Sequence, residues 1–157
     1  MSDRSIALIA CSKRKVETAK PVPAINLYQG QLFKSQLFYA SGVLGLPLTR
    51  IFVLSAKYGI VRSGALLVPY DQTLSRMPAR DRRRWGMMVA YQLGILAGMS
   101  REPGEPHYLE EVFVLGGKLY REPVISALHA SPTTVTTPHP NGLGYAQQVE
   151  WYKEQKQ

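Results

Sequence analysis

The chemistry-bearing residues of this chain gather in a few short clusters. Asp71, within Pro69-Tyr70-Asp71-Gln72-Thr73, is the only acidic residue between Glu17 and Asp81. Basic neighbours hold such a carboxylate ionised, the state needed to orient a water or balance a cationic transition state. A turn-forming Asp is the plainer reading. Pro138-His139-Pro140-Asn141-Gly142 sets an imidazole between two prolines. The prolines lower the entropic cost of fixing it. His139 or Asn141 could then hydrogen-bond a base carbonyl and stabilise charge developing there; a solvated His in a Pro-rich turn is the alternative.

Cys11-Ser12-Lys13 offers backbone N–H groups, a hydroxyl and an ammonium to an anion or a base carbonyl. It lacks the glycine spacing of a Walker loop, and the Cys11 sulfur reads as a small core group at a strand end. Ser55-Ala56-Lys57-Tyr58-Gly59 combines small residues, which admit a ligand to the backbone, with an aromatic ring. Tyr58 there can stack on a base, worth about 1–3 kcal/mol, or simply cover the sheet edge. His107, His129 and His139 are scattered and there is one cysteine, so no metal-site spacing exists. No nucleophile-elbow glycine pattern surrounds a serine. The sequence calls for no metal and no cofactor.

Four apolar runs must position these clusters: Ile6–Ala10, Ile51–Leu54, Val112–Leu115 and Thr134–Thr137. Each ends in small and polar residues, the third in Gly116-Gly117-Lys118. Short apolar runs without alternation read as strands buried on both faces of a parallel sheet, and such sheets bind ligands outside the carboxyl ends of their strands. Between the strands, Lys13–Ile25 reads as a Pro-containing loop, Gln31–Leu44 as a helix stopped by Gly45 and Pro47, and Gly59–Met77 as a long connection. Helices follow from Pro78 to about Ala97, over about Leu119–Ala130 and over about Tyr145–Gln155. The predicted fold is a single α/β domain over 1–157, a three-layer α/β/α sandwich with a mostly parallel four-stranded sheet.

The chain has 157 residues, 45% hydrophobic and 19% charged, which is ordinary for a globular domain. Its lone cysteine points to a reducing compartment. No run reaches the roughly 18 apolar residues of a membrane span, so a cytoplasmic protein without a membrane role is expected. Nineteen Lys and Arg against 11 Asp and Glu give +8, a balance that favours a polyanionic partner. Arg76, Arg80, Arg82, Arg83 and Arg84 crowd around a helix start, where Arg76, Arg80, Arg83 and Arg84 suit DNA phosphates.

Two resemblances sharpen this. Ala10-Cys11-Ser12-Lys13, Leu27-Tyr28, Leu54-Ser55-Ala56-Lys57-Tyr58-Gly59 and Pro69-Tyr70-Asp71-Gln72-Thr73-Leu74 resemble an uncharacterised bacterial and phage domain family, similar in turn to the YaaA peroxide-stress proteins and the archaeosine synthase core domain. Val112-Phe113-Val114-Leu115-Gly116-Gly117 and Thr137-Pro138-His139-Pro140-Asn141-Gly142-Leu143 resemble the closing part of the uracil-DNA glycosylase superfamily. That family's Gly-Gln-Asp-Pro-Tyr water-activating loop is absent here, and Asp71 is the substitute.

The resemblance implies a uracil-DNA-glycosylase-like fold and a DNA glycosylase that releases a modified, bulky base to leave an abasic site. The family's phage association implies an antiviral role. Chemistry on a base requires extruding it, and N-glycosidic cleavage passes through an oxocarbenium-like sugar that a carboxylate stabilises. Asp71 and His139 are the expected catalytic pair. Cys11, Ser12, Lys13, Tyr28, Ser55, Lys57, Tyr58, Tyr70 and Asn141 are expected around the base. A variant uses Lys13 or Lys57 as a nucleophile on the sugar. The rivals are a non-catalytic, YaaA-like DNA-binding protein and an enzyme that modifies bases in RNA.

Overall fold

The computed structural model describes residues 2–100 and 102–155. Two strands, β1 (Ser5–Ala10) and β3 (Ile51–Ser55), are buried along their whole length, as expected of central parallel strands. Between them lie β2 (Val22–Pro23), α1 (Ala24–Leu27) and α2 (Gln31–Phe38), the last continuing as a π-helical turn over Tyr39–Val43. After β3 come β4 (Gly59–Arg62), β5 (Leu66–Leu67), a 3₁₀ turn at Leu74–Arg76 and α3 (Ala79–Ser100). The chain closes with β6 (Glu111–Val114), α4 (Lys118–Ala127), β7 (Thr134–Thr136) and α5 (Tyr145–Glu154).

The main sheet runs β4-β3-β1-β6-β7. β1 pairs in parallel with β3 and β6, β6 pairs in parallel with β7, and β4 is antiparallel to β3. Among the described residues the sheet therefore has five strands, not four. The extra strand lies in the segment read as a long connection. Its signal is short, two apolar residues between Gly59 and Arg62, and the hairpin turn Ala56-Lys57-Tyr58 looks like any polar loop. Gly59 closes that turn at φ +73°, the left-handed residue that a three-residue hairpin loop requires. β5 pairs with β2 in a separate two-stranded ribbon, so the Lys13–Ile25 loop is also partly ordered.

Side-chain alternation splits the core into two layers. Ala7, Ile9, Val53 and Phe113 face Phe33, Tyr39 and Tyr152 on the α2/α5 side. Ile6, Leu8, Phe52, Leu54, Val112 and Val114 face Trp85, Val89, Leu93 and Val124 on the α3/α4 side. Gly86 lets these last two helices touch, since a Cβ there would lie 2.5 Å from the Pro123 carbonyl oxygen. The β1-to-β3 crossover thus runs over one face, and the β3-to-β6 and β6-to-β7 crossovers run over the other. The winding reverses between β1 and β6. No helix among the described residues is long and apolar enough to cross a membrane.

Candidate functional site

In open α/β sheets the reversal point opens a crevice beyond the strand ends, and a cleft of about 520 Å³ lies there. Cys11, Ser12 and Lys13 line it from beyond β1, Gln36 from α2, Lys118 and Tyr120 from α4, and Tyr145 and Gln148 from α5. A second cleft of about 510 Å³ sits near Leu48, Arg62 and Ser63. Size does not choose between them; chemistry does. Ser63 there already donates to the carbonyls of Leu48 and Ile51, whereas the β1/β6 cleft holds unmet polar groups.

The unmet groups are amides. Gln36 is fully buried, and its Oε1 accepts from the Ala10 N–H at 3.2 Å while its Nε2 has no partner. Gln148 is 7% exposed, and its Nε2 donates to the Leu143 carbonyl at 2.9 Å while its Oε1 has none. An unmet buried polar group costs about 1–3 kcal/mol, so each needs an explanation. Thr137 Oγ1 is also unpartnered, but it does not line the cleft.

The cleft is electropositive at its rim. Gly117, the N-cap of α4, offers no side-chain cap, and the first residues of the helix line the cleft beside Lys13, so the positive end of its dipole adds to the charge of Lys13 and Lys118. No carboxylate among the described residues lines it. Cys11 Sγ lies 3.1 Å from the Tyr120 hydroxyl. Burial and the neighbouring Cys11 hold that phenol well above its ordinary value, so it remains a proton donor. Ser12 lines the cleft, but its hydroxyl donates to the Arg14 carbonyl at 2.8 Å and accepts from the Gly30 N–H. Its hydroxyl proton is therefore already engaged.

On the other side of Cys11, between the ends of β1 and β3, the polar groups are saturated. The Tyr70 hydroxyl lies 2.6 Å from both the Tyr28 hydroxyl and Ser55 Oγ. Ser55 Oγ also accepts the N–H groups of Lys57 and Tyr58 at 3.1 Å each. Lys15 Nζ stands 4.6 Å from the Tyr70 ring centre, and Lys57 Nζ stands 5.2 Å from that of Tyr58. Burial pushes the Tyr28 hydroxyl up to about 12 and raises Tyr70 as well. Tyr28 and Ser55 are fully buried, which corrects their expected contact with a base: they are interior members of a closed network. Tyr58 and Lys57 stay exposed beside it.

The remaining expected residues lie apart from the cleft. Asp71 is exposed and pairs with Arg76 at 3.2 Å. His139 is buried, with Nδ1 at 2.7 Å from the Tyr152 hydroxyl. Burial, and then Arg121, lower it to about 4, so it is neutral at pH 7. Neither Asp71 nor His139 lines the cleft, so the expected catalytic pair is not assembled there. His139 lies inside because its ring packs edge-on against Trp151 and Tyr152. Asn141 is exposed in the turn before α5 and also lies off the cleft. Arg80, Arg83 and Arg84 are exposed on the first turns of α3. That helix start is tied to the end of β3 by Trp85 Nε1, which donates to the Ser55 carbonyl at 2.9 Å.

Gln36, Tyr120, Tyr145 and Gln148 were not expected at the site, whereas Lys118 belongs to the strand-end cluster Gly116-Gly117-Lys118. Two carried a readable signal. Gln36 lies on the apolar stripe of Leu32, Phe33, Leu37 and Ala40, and Gln148 lies on that of Tyr145, Val149 and Tyr152. A polar residue on a buried helical stripe must find a partner.

Fold and site together define an α/β protein with a polar, electropositive cleft at the winding reversal of a mostly parallel sheet. The chain belongs to a family of unknown function, DUF6884, whose pattern matches residues 6–154. No curated protein matches it.

Proposed function

We propose that this protein is a DNA glycosylase with a uracil-DNA-glycosylase-like fold that receives one extruded, modified base in the β1/β6 cleft. The observation that carries this reading is the cleft itself: space for one base, aromatic Tyr120 and Tyr145, unmet amides and a cationic rim at one end of the sheet. Extrusion delivers the base edge-first, while Lys13, Lys118 and the exposed Arg83 and Arg84 hold the flanking phosphates. In the reaction, water oxygen bonds to the sugar C1′, the C1′–N bond breaks, and a water proton ends on the departing base. Asp71, which lies outside the cleft beside Arg76, supplies the carboxylate for the oxocarbenium-like sugar. Tyr120, held protonated by burial, donates a hydrogen bond to the departing base.

The test is incubation with phage DNAs bearing different modified bases, followed by an assay for abasic sites and mass spectrometry of the released base. Asp71→Asn should lower base release about 100-fold or more while leaving duplex binding intact. Full base release by Asp71→Asn removes that residue from the mechanism. One observation favours a second reading, a non-catalytic DNA-binding protein: no carboxylate among the described residues lines the cleft. Tight duplex binding with no abasic site on any DNA selects it.

A further inference from the structure

We infer that Gln36 and Gln148 read the hydrogen-bonding edge of the bound base, and that this edge sets an acceptor beside a donor. The inference rests on the base-binding reading of the cleft and names its specificity. Each amide is held in one orientation by the main chain. The Ala10 N–H must face an oxygen, which fixes Gln36 Oε1 inward at 3.2 Å. The Leu143 carbonyl must face an N–H, which fixes Gln148 Nε2 at 2.9 Å. Neither amide can flip without setting donor against donor or acceptor against acceptor.

What remains is a fixed code: a donor from Gln36 Nε2 and an acceptor from Gln148 Oε1, both buried and both without a partner. The two side chains come from different helices, α2 and α5, that converge on the cleft. Gly117 leaves room beside Gln148, since a Cβ there would pack against the amide, 3.6 Å from its Nε2 and 3.9 Å from the free oxygen. A ligand satisfies the code with a carbonyl or ring nitrogen for Gln36 and an N–H for Gln148. Those are the edges of lactam and amidine bases. A base whose N–H is replaced by N-methyl leaves Gln148 unmet and brings a methyl group against it. Sites built on buried hydrogen bonds reject analogues lacking the matching group strongly.

The probes are duplex oligonucleotides with one 5-hydroxymethyluracil or one 5-hydroxymethylcytosine, each paired with its N3-methyl or N4,N4-dimethyl analogue. The intact protein should bind a parent probe roughly 10- to 100-fold more tightly than its blocked analogue. Gln148→Met should abolish that preference, because the acceptor that senses the N–H is gone. Gln36→Met removes the free donor and should weaken parent binding by a similar factor, measured on protein whose far-UV spectrum shows it folded, because the Ala10 N–H also loses its acceptor. Equal binding of parent and blocked probes by the intact protein, with tighter binding than an unmodified duplex, overturns the code and leaves base binding standing. A preference that survives both substitutions also overturns the assignment to these two residues. No dependence on the base in any probe overturns the base-binding reading and this inference with it.

Discussion

Two polar regions flank Cys11 at the carboxyl end of the sheet, and they differ in one respect. In the Tyr28–Tyr70–Ser55 network each hydroxyl has a protein partner within 2.6 Å. In the β1/β6 cleft, two buried amide atoms have none. Both regions contain residue types that a chemist would choose for binding. The first is complete without a ligand and therefore acts as structure, holding the β3–β4 turn and the Tyr70 segment onto the end of β1. The second is complete only with something added. Unmet hydrogen-bonding capacity, rather than residue type, separates a site from a scaffold.

Removing a member of the closed network should do the most damage to stability. Tyr70→Phe strips the buried Tyr28 hydroxyl of its partner and Ser55 Oγ of one of three, and should lower unfolding free energy by about 1–3 kcal/mol in denaturant titrations. If stability is unchanged while base release collapses, the network belongs to the site and the contrast between the two regions dissolves.

His139 tests saturation through pH. Its folded value, about 4, lies below the ordinary 6.5, so the unfolded chain takes up the proton first as pH falls. Its contribution is fully present above pH 6.5 and is lost between pH 6.5 and 4, on the order of 2 kcal/mol. Denaturant titrations at stepped pH should show this loss for the natural chain and a flatter profile for His139→Gln. An unchanged profile would mean the imidazole is not held neutral by burial.

On the open side, the arginines at the start of α3 should affect salt dependence more than affinity at one salt concentration. Replacing Arg83 and Arg84 with Ala should reduce the slope of log K against log salt by about 0.9 for each lost phosphate contact. An unchanged slope would place DNA elsewhere on the surface. The smallest effect sharpens the comparison most. Gln148→Met removes an unmet acceptor together with one hydrogen bond, so unfolding free energy should stay within about 0.5 kcal/mol. A loss as large as that of Tyr70→Phe would show that Gln148 is structural after all.

The strands beneath these regions were readable because a buried parallel strand announces itself by an unbroken apolar run. β1 and β3 follow the runs at Ile6–Ala10 and Ile51–Leu54 closely. β4 was missed because two apolar residues between a glycine and an arginine look like a loop until Gly59 is seen to close a hairpin. The cleft was half legible: Cys11-Ser12-Lys13 and Gly116-Gly117-Lys118 sit at the two strand ends that frame it. Asp71 and His139 stood out by type and by flanking prolines, yet side-chain type alone says nothing of which groups share a cavity.

The sequence by itself determined the layers, since apolar periodicity is local and each strand or helix carries its own. It also determined the basic start of α3, which depends only on neighbours along the chain. Which polar groups are satisfied was decided by tertiary structure alone. Tyr70 finds Tyr28 across 42 positions, and Gln36 meets the strand it caps across 26. Hydrogen bonding is short-ranged in space but indifferent to separation along the chain, so only the packed molecule reveals which donors and acceptors are left over.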